Sequence, residues 1–202
     1  MKTVKLLVIG CTLLLSDTAF AQQQPARGTR HQMVQTPLTE VELMATLKDA
    51  HAEVFGVPAP SKRLAMAWSQ VAFENGRGKY VYNRNIGNTV TTLPEHNFYC
   101  VQGQCYRSFA SFIESGKLYW ATIKHCTAAL IAFDNAQSYV AAQKLKDCHY
   151  YDGDVKQYAG SMSSLYDEAM KRVLPQEEHD RQLRQEVQRI SDSVVGFPAS
   201  HQ

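Results

Sequence analysis

The sequence predicts an α+β fold, mainly α, in which helices flank a small β-hairpin lobe. Three observations predict it. Apolar residues recur at helical spacing on both sides of a central block. That block, residues 79–109, carries the β-formers Tyr80, Val81, Tyr82, Val90, Phe98, Tyr99, Val101 and Tyr106, interrupted by Asn, Gly and Pro. The chain has 202 residues, 45% hydrophobic and 20% charged, which suits one globular domain with extra segments at its ends. Helices, then strands, then helices read as α+β, not as alternating βαβ units.

Residues 1–21 read as an export signal. Lys2 and Lys5 precede an apolar run over 6–15, and Ala19-Phe20-Ala21 meets the small-x-small rule, which places cleavage after Ala21. Val8-Ile9-Gly10-Cys11 resembles a lipid-attachment box, but the apolar run continues past the cysteine to Leu15. Residues 22–37 are polar, contain Pro25 and Gly28, and read as a flexible leader. The main domain is expected over 38–175, and a charged C-terminal helix and tail over 176–202.

Thr39 and Glu42 form a capping box that starts a helix running to about Val54 and stopping at Phe55-Gly56. After Pro58 and Pro60, Ser61 is placed to cap a second helix from Lys62 to about Asn75. Leu64, Trp68, Val71 and Ala72 share one face of it, and Gly76 and Gly78 end it. Helical periodicity returns over 108–114, 119–133 and 136–145. Asp152-Gly153-Asp154 makes a turn before a helix over 155–173, which Pro175 is expected to end. Leu183, Val187, Ile190 and Val194 then form a thin stripe on a charged helix. The stripe is expected to dock that helix on the domain, the alternative being a partner-binding face.

The formal net charge is +2 and no basic block stands out, which argues against nucleic acid as the main partner. No apolar run reaches the roughly 18 residues a bilayer span needs. A Gly-rich phosphate loop, a Gly-x-Ser-x-Gly elbow and a His-x-x-x-His zinc motif are all missing from the sequence.

Beyond Cys11, four cysteines remain: Cys100, Cys105, Cys126 and Cys148. An even number in an exported chain reads as disulfides, and four cysteines allow three pairings. One pairing clamps a hairpin with Cys100–Cys105 and ties Cys126 to Cys148 across two helical segments. Zinc is the rival, since His125 and His149 adjoin two of the cysteines, but the spacings match no common zinc pattern.

Glu74 is the sharpest chemical candidate. It lies three residues after Val71, on or beside the apolar face of its helix, and in the last turn, where the helix dipole disfavours negative charge. Both effects raise a carboxyl pKa, as a general acid requires. The alternative is an exposed Glu before a glycine stop.

The segment Trp68-Ser69-Gln70-Val71-Ala72-Phe73-Glu74-Asn75-Gly76-Arg77-Gly78 resembles the catalytic-helix motif of bacterial glucosaminidases in the lysozyme superfamily. There an apolar helix with a Gln-x-x-x-Glu step ends in Glu-Ser-Gly or Glu-Asn-Gly. Tyr82-Asn83-Arg84-Asn85-Ile86-Gly87-Asn88 looks like the family's Asn-rich segment, and Tyr106-Arg107-Ser108-Phe109 like its Tyr-Arg-x-Phe entry to the next helix. His149-Tyr150-Tyr151-Asp152 through Tyr158-Ala159 is similar to its closing Gly-Tyr-Ala-Thr-Asp…Tyr-Ala segment. The matches are collinear over roughly 61–173. The chain departs from the pattern where Ile86-Gly87-Asn88 replaces Phe-Gly-Ile, and where His149 or Tyr150 replaces a glycine.

The resemblance implies a two-lobed lysozyme-like fold and hydrolysis of a β-1,4 bond in peptidoglycan glycan strands, as a glucosaminidase or a muramidase. It implies Glu74 as general acid, with Asn85, Tyr151 and Tyr106 as substrate-binding residues. A second carboxylate is usual in such chemistry. Glu95, the only acidic residue between Asn75 and Cys105, is the β-lobe candidate, with Asp152 and Asp154 as substitutes from the helical side. No metal or organic cofactor is expected, and the protein is expected to be a secreted or periplasmic monomer. The alternatives are a non-catalytic wall-binding or assembly protein on the same fold, or a disulfide-tied structural domain.

Overall fold

A computed structural model describes residues 27–195. The expected export signal, the first part of the expected leader and the end of the tail lie outside them.

Helix α1 (Glu40–Phe55) starts on the expected capping box: Thr39 Oγ1 accepts from the Glu42 amide, and the Glu42 carboxylate accepts from the Thr39 amide. It ends at Gly56, whose φ of 72° lies in the left-handed region. Helix α2 (Ser61–Asn75) is capped by Pro60 and not by the Ser61 side chain, which makes no capping bond. Its nine residues 64–72 are all buried, among them the small Ala65, Ala67, Ser69 and Ala72. A helix without a polar face needs cover on every side. It is packed by α1, by α4 (Thr127–Asp134), by α6 (Val155–Glu168) and by the π-helical turn Ala169–Val173.

The remaining helices are α3 (Phe112–His125), α5 (Ser138–Asp147) and α7 (Leu174–Val195). The expected helices over 108–114 and 119–133 are corrected. Ser111 caps α3 through the Glu114 amide, and the backbone breaks at Cys126 between α3 and α4. Cys126 is bonded to Cys148 at the end of α5, and Cys100 to Cys105, so no thiolate remains there for zinc.

Pro175 does not end the last helix. The π turn widens the backbone just before it, with the Leu174 amide bonding to the Ala169 carbonyl, five residues back. Such a bulge relieves the clash between a proline ring and the preceding turn. Helix α7 is then held on α1 by the buried Glu177, which receives the Lys48 ammonium at 2.7 Å. The expected docking stripe is corrected too: Leu183, Val187 and Ile190 are exposed. At about 100° per residue, Leu183 points well away from the Glu177 side.

The central block holds less strand than expected. One antiparallel hairpin forms, β1 (Phe98–Val101) and β2 (Gln104–Arg107), with Cys100 opposite Cys105. Gln102 and Gly103 turn it with positive φ at both positions, as a tight hairpin requires. Residues 80–92 form no extended strand; they meet the leader and the hairpin only in single bridges, Tyr82 with Gln35 and Val90 with Tyr106, and asparagine side chains add further ties. Asn83 accepts from the Val34 amide and donates to the Gln32 carbonyl, and Asn97 accepts from the Thr29 amide. These bonds, with backbone pairs such as Thr36 N–H to the Val81 carbonyl, bind residues 27–37 along the lobe. That part of the leader is therefore not a free segment.

Behind α2, His51 is fully buried against Phe55 and Trp120. Arg63, held by both oxygens of Asp134, places Nη1 3.2 Å from His51 Nε2. A guanidinium only donates, so Nε2 accepts and Nδ1–H donates to the Val57 carbonyl at 3.0 Å. Burial holds this imidazole below its ordinary pKa, with the Arg63 charge adding to the effect. The unfolded chain therefore binds the proton first as pH falls below about 6.5. Stability is full above that pH and lost as pH descends towards the folded value. The melting temperature is expected to fall between pH 7 and pH 5, and His51→Gln to flatten that slope.

The cysteine pairs enclose loops of unequal length, with separations of 5 and 22 residues. Loop entropy alone assigns about 2 kcal/mol to the first and about 3.5 kcal/mol to the second. Thermal melts should show the Cys126→Ala/Cys148→Ala variant losing more stability than Cys100→Ala/Cys105→Ala.

Candidate active site

Glu74 lies where α2 leaves the core. Gln70, four residues earlier, is fully buried, Phe73 is exposed and Glu74 is half-buried. The Glu74 carbonyl, left over at the helix end, accepts from Asn88 Nδ2 at 2.9 Å. Asn75 locks the following turn, donating to the Ile86 carbonyl and accepting from the Gly78 amide. Gly78 has no room for a side chain, since a Cβ would stand 2.5 Å from the Leu38 carbonyl oxygen.

Tyr158 of α6 donates its hydroxyl to Glu74 Oε1 at 2.6 Å. Tyr151 stacks on the Tyr158 ring with centroids 3.8 Å apart, and Phe73 meets it edge-on at 5.1 Å. Burial pushes the Glu74 carboxyl above its ordinary pKa, and the Tyr158 bond offsets part of the rise. The Tyr158 phenol is pushed far up, by burial first and then by the charge of Glu74, so it stays protonated as a donor. Glu74 Oε2 has no hydrogen-bond partner among the described residues.

Glu74 lines a groove of about 530 Å³. The two-residue alternation of the hairpin puts Tyr99, Val101, Gln104 and Tyr106 on its groove side, and the Cys100–Cys105 bond on the opposite side. Tyr99 and Tyr106 stack at 5.5 Å. Tyr80, Tyr82 and Asn88 come from the loop after α2, and Met33 from the bound leader segment. Among the described residues, Glu74 is the only charged side chain of the lining. A depression of similar size beyond Phe73 includes Arg77, whose charge is already matched by Glu168 and Glu40.

The structure brings two of the expected residues together at the groove, Glu74 and Tyr106. Asn85 is fully buried, and its amide both donates to the Thr89 carbonyl and accepts from the Thr89 amide, so it braces the loop behind the groove. Tyr151, half-buried, stacks on Tyr158 and donates to the Ala142 carbonyl. Glu95 is exposed on its turn, where its charge acts on Arg107, on the hairpin side away from the groove. Asp152 is exposed, and Asp154 caps α6 through the Gln157 amide. Sequence reasoning passed over Tyr158, Gln70, Tyr80, Tyr82, Tyr99 and Asn88. Tyr158, Gln70, Tyr82 and Asn88 do stand in the motifs quoted above, and the four-residue step from Gln70 to Glu74 puts those two on one helix face, but nothing in the spacing marks Tyr158 as a neighbour of Glu74.

A carboxyl with a raised folded pKa costs stability because the unfolded chain ionises it first. The cost is nil while Glu74 is protonated in both states, grows as pH rises from the unfolded value to the higher folded one, and is complete above it. Glu74→Gln is therefore expected to melt higher than wild type at pH 7, with the gain shrinking as pH falls to 4.

No protein-family model, no curated protein and no solved structure matches this chain, so the chemistry of the groove rests on its own geometry.

Proposed function

We propose that this protein is an exported peptidoglycan hydrolase of two-lobed, lysozyme-like architecture. It cleaves a β-1,4 bond of the glycan strand with Glu74 as general acid. The observation that carries this reading is the half-buried Glu74 carboxyl, its pKa raised, bordering a tyrosine-walled groove. Such a group holds its proton towards neutral pH and passes it to the glycosidic oxygen as the bond to the anomeric carbon breaks. Phenol rings offer flat apolar faces to sugar rings and hydroxyl edges to their polar groups. An otherwise uncharged lining suits neutral amino sugars. The two disulfides support an oxidising destination.

With no second carboxylate among the described lining residues, the nucleophile that fits best is the substrate's own acetamido oxygen. It attacks the anomeric carbon while the leaving oxygen takes the Glu74 proton. Water then opens the cyclic intermediate and returns a proton to Glu74. The same feature of the lining favours a second reading, glycan binding without turnover.

Purified peptidoglycan, acetylated and deacetylated, is incubated with wild type and with Glu74→Gln, and soluble fragments are identified by mass spectrometry. Wild type is expected to release fragments with new reducing ends from acetylated glycan, and Glu74→Gln to lose activity by about 10²–10⁴-fold. Release from deacetylated glycan alone would overturn the acetamido route. Retention on glycan without fragments would establish the binding reading.

A further inference from the structure

We propose that residues 28–38, read from sequence as part of a leader, are a built wall of the groove, and that Met33 is the residue through which this wall contacts the apolar part of a bound sugar. The inference rests on the reading of the groove as a glycan site.

The segment crosses the lobe as a strap fastened along its length. The Gly28 amide donates to the Pro94 carbonyl at 2.7 Å, and a Cβ on Gly28 would stand 1.9 Å from the His96 carbonyl oxygen, so the two backbones touch. Arg30 bridges to Phe98 of β1, Gln35 bridges to Tyr82, and the Leu38 amide donates to the Gly78 carbonyl. The firmest clamp surrounds Met33. The side chain of buried Asn83 accepts from the Val34 amide at 2.7 Å and donates to the Gln32 carbonyl at 2.9 Å. Both neighbours of Met33 are thus held by one amide group, which also donates to Ser108 Oγ.

Extended backbone sends successive side chains to opposite faces. Gln32, Val34 and Thr36 accordingly line a depression on the far side of the strap, and Met33 lines the groove that holds Glu74. Met33 is 43% exposed, whereas Met44, Met66 and Met162 are fully buried. Val90 and Val101 of the same groove are exposed as well. Aliphatic side chains left open to water together on one groove wall mark a surface that a ligand covers. The tyrosines offer flat faces, while the unbranched thioether of methionine adapts to an irregular apolar group. An N-acetylated sugar offers two such groups, the C–H face of its ring and the methyl of its acetamido group. Because the backbone on either side of Met33 is already fixed, binding has only the side chain left to order.

The test uses soluble glycan strands freed of stem peptides, acetylated and deacetylated, and the Glu74→Gln chain as a background that does not consume them. Methionine methyl groups are followed by ¹³C NMR, with the Met33 signal assigned by its loss in Met33→Leu. That signal is expected to shift and saturate as glycan is added. Met33→Ala removes about two methylene-sized groups from the contact and is expected to weaken Kd about tenfold, with Met33→Leu within about twofold of the background. Asn83→Gly, which keeps the left-handed backbone of that position but frees the strap, is expected to weaken binding similarly and to add little to Met33→Ala. A loss seen on acetylated strands alone assigns the contact to the acetamido methyl, and an equal loss on both assigns it to the ring face. Met33 is exposed, so Met33→Ala leaves the core intact and decides alone if Asn83→Gly does not fold. Glycan binding with an unmoved Met33 signal, or a Met33→Ala affinity equal to the background, would overturn the proposal and leave the glycan reading standing. A wild-type chain that neither binds nor cleaves either strand removes the glycan reading itself, and this inference with it.

Discussion

The burial of α2 is the constraint on which the rest of the structure depends. Nine consecutive residues without access to water leave that helix no solvent-facing side, and its neighbours are arranged as its cover. Small residues let them approach closely. Polar groups admitted to this region need local partners: Ser69 Oγ donates to the Met66 carbonyl, Gln70 accepts from Tyr119, and Asn75 ties the next loop. Where the cover ends, the first acidic side chain of the helix, Glu74, emerges half-wrapped. Its raised pKa follows from the helix's central position, with no charged neighbour needed to produce it.

Much of the helical part was legible because its signals are local. The Thr39–Glu42 box and the Gly56 and Gly76 stops lie within a few residues of the features they control. The hairpin turn and its cysteine pair are local too. The irregular lobe was not legible. β-formers at Tyr80, Val81, Tyr82 and Val90 suggest strands, but they pair only in single bridges, Val81 and Tyr82 with a leader segment more than forty residues earlier in the chain and Val90 with Tyr106. Pro175 misleads for a similar reason, since one turn of wider helix just before it is enough to let the rod continue.

The candidate site divides along the same line. Glu74 was legible from its position on one helix. Tyr158, its hydrogen-bond partner, is 84 residues away, and no periodicity within either helix links them. Asn85 was placed at the cleft by resemblance, and it is fully buried, bracing the loop with Thr89. Tyr151 stacks on Tyr158, and the groove is lined by Asn88, Tyr80, Tyr82, Tyr99 and Tyr106. Residue type alone does not separate a side chain that faces a groove from one that holds it up.

The long sequence gap between Glu74 and Tyr158 also orders assembly in time. Closing a chain loop costs more entropy the longer it is, so near contacts form ahead of distant ones. The turn between α4 and α5, enclosed by Cys126 and Cys148, needs little closure. The Glu74–Tyr158 bond needs α6 to return to α2 across everything between them. Until it does, Glu74 is an ordinary solvated carboxylate at the end of a helix. A chain caught before α6 docks therefore carries the acid residue without the acid, and the chemistry arrives only with that contact.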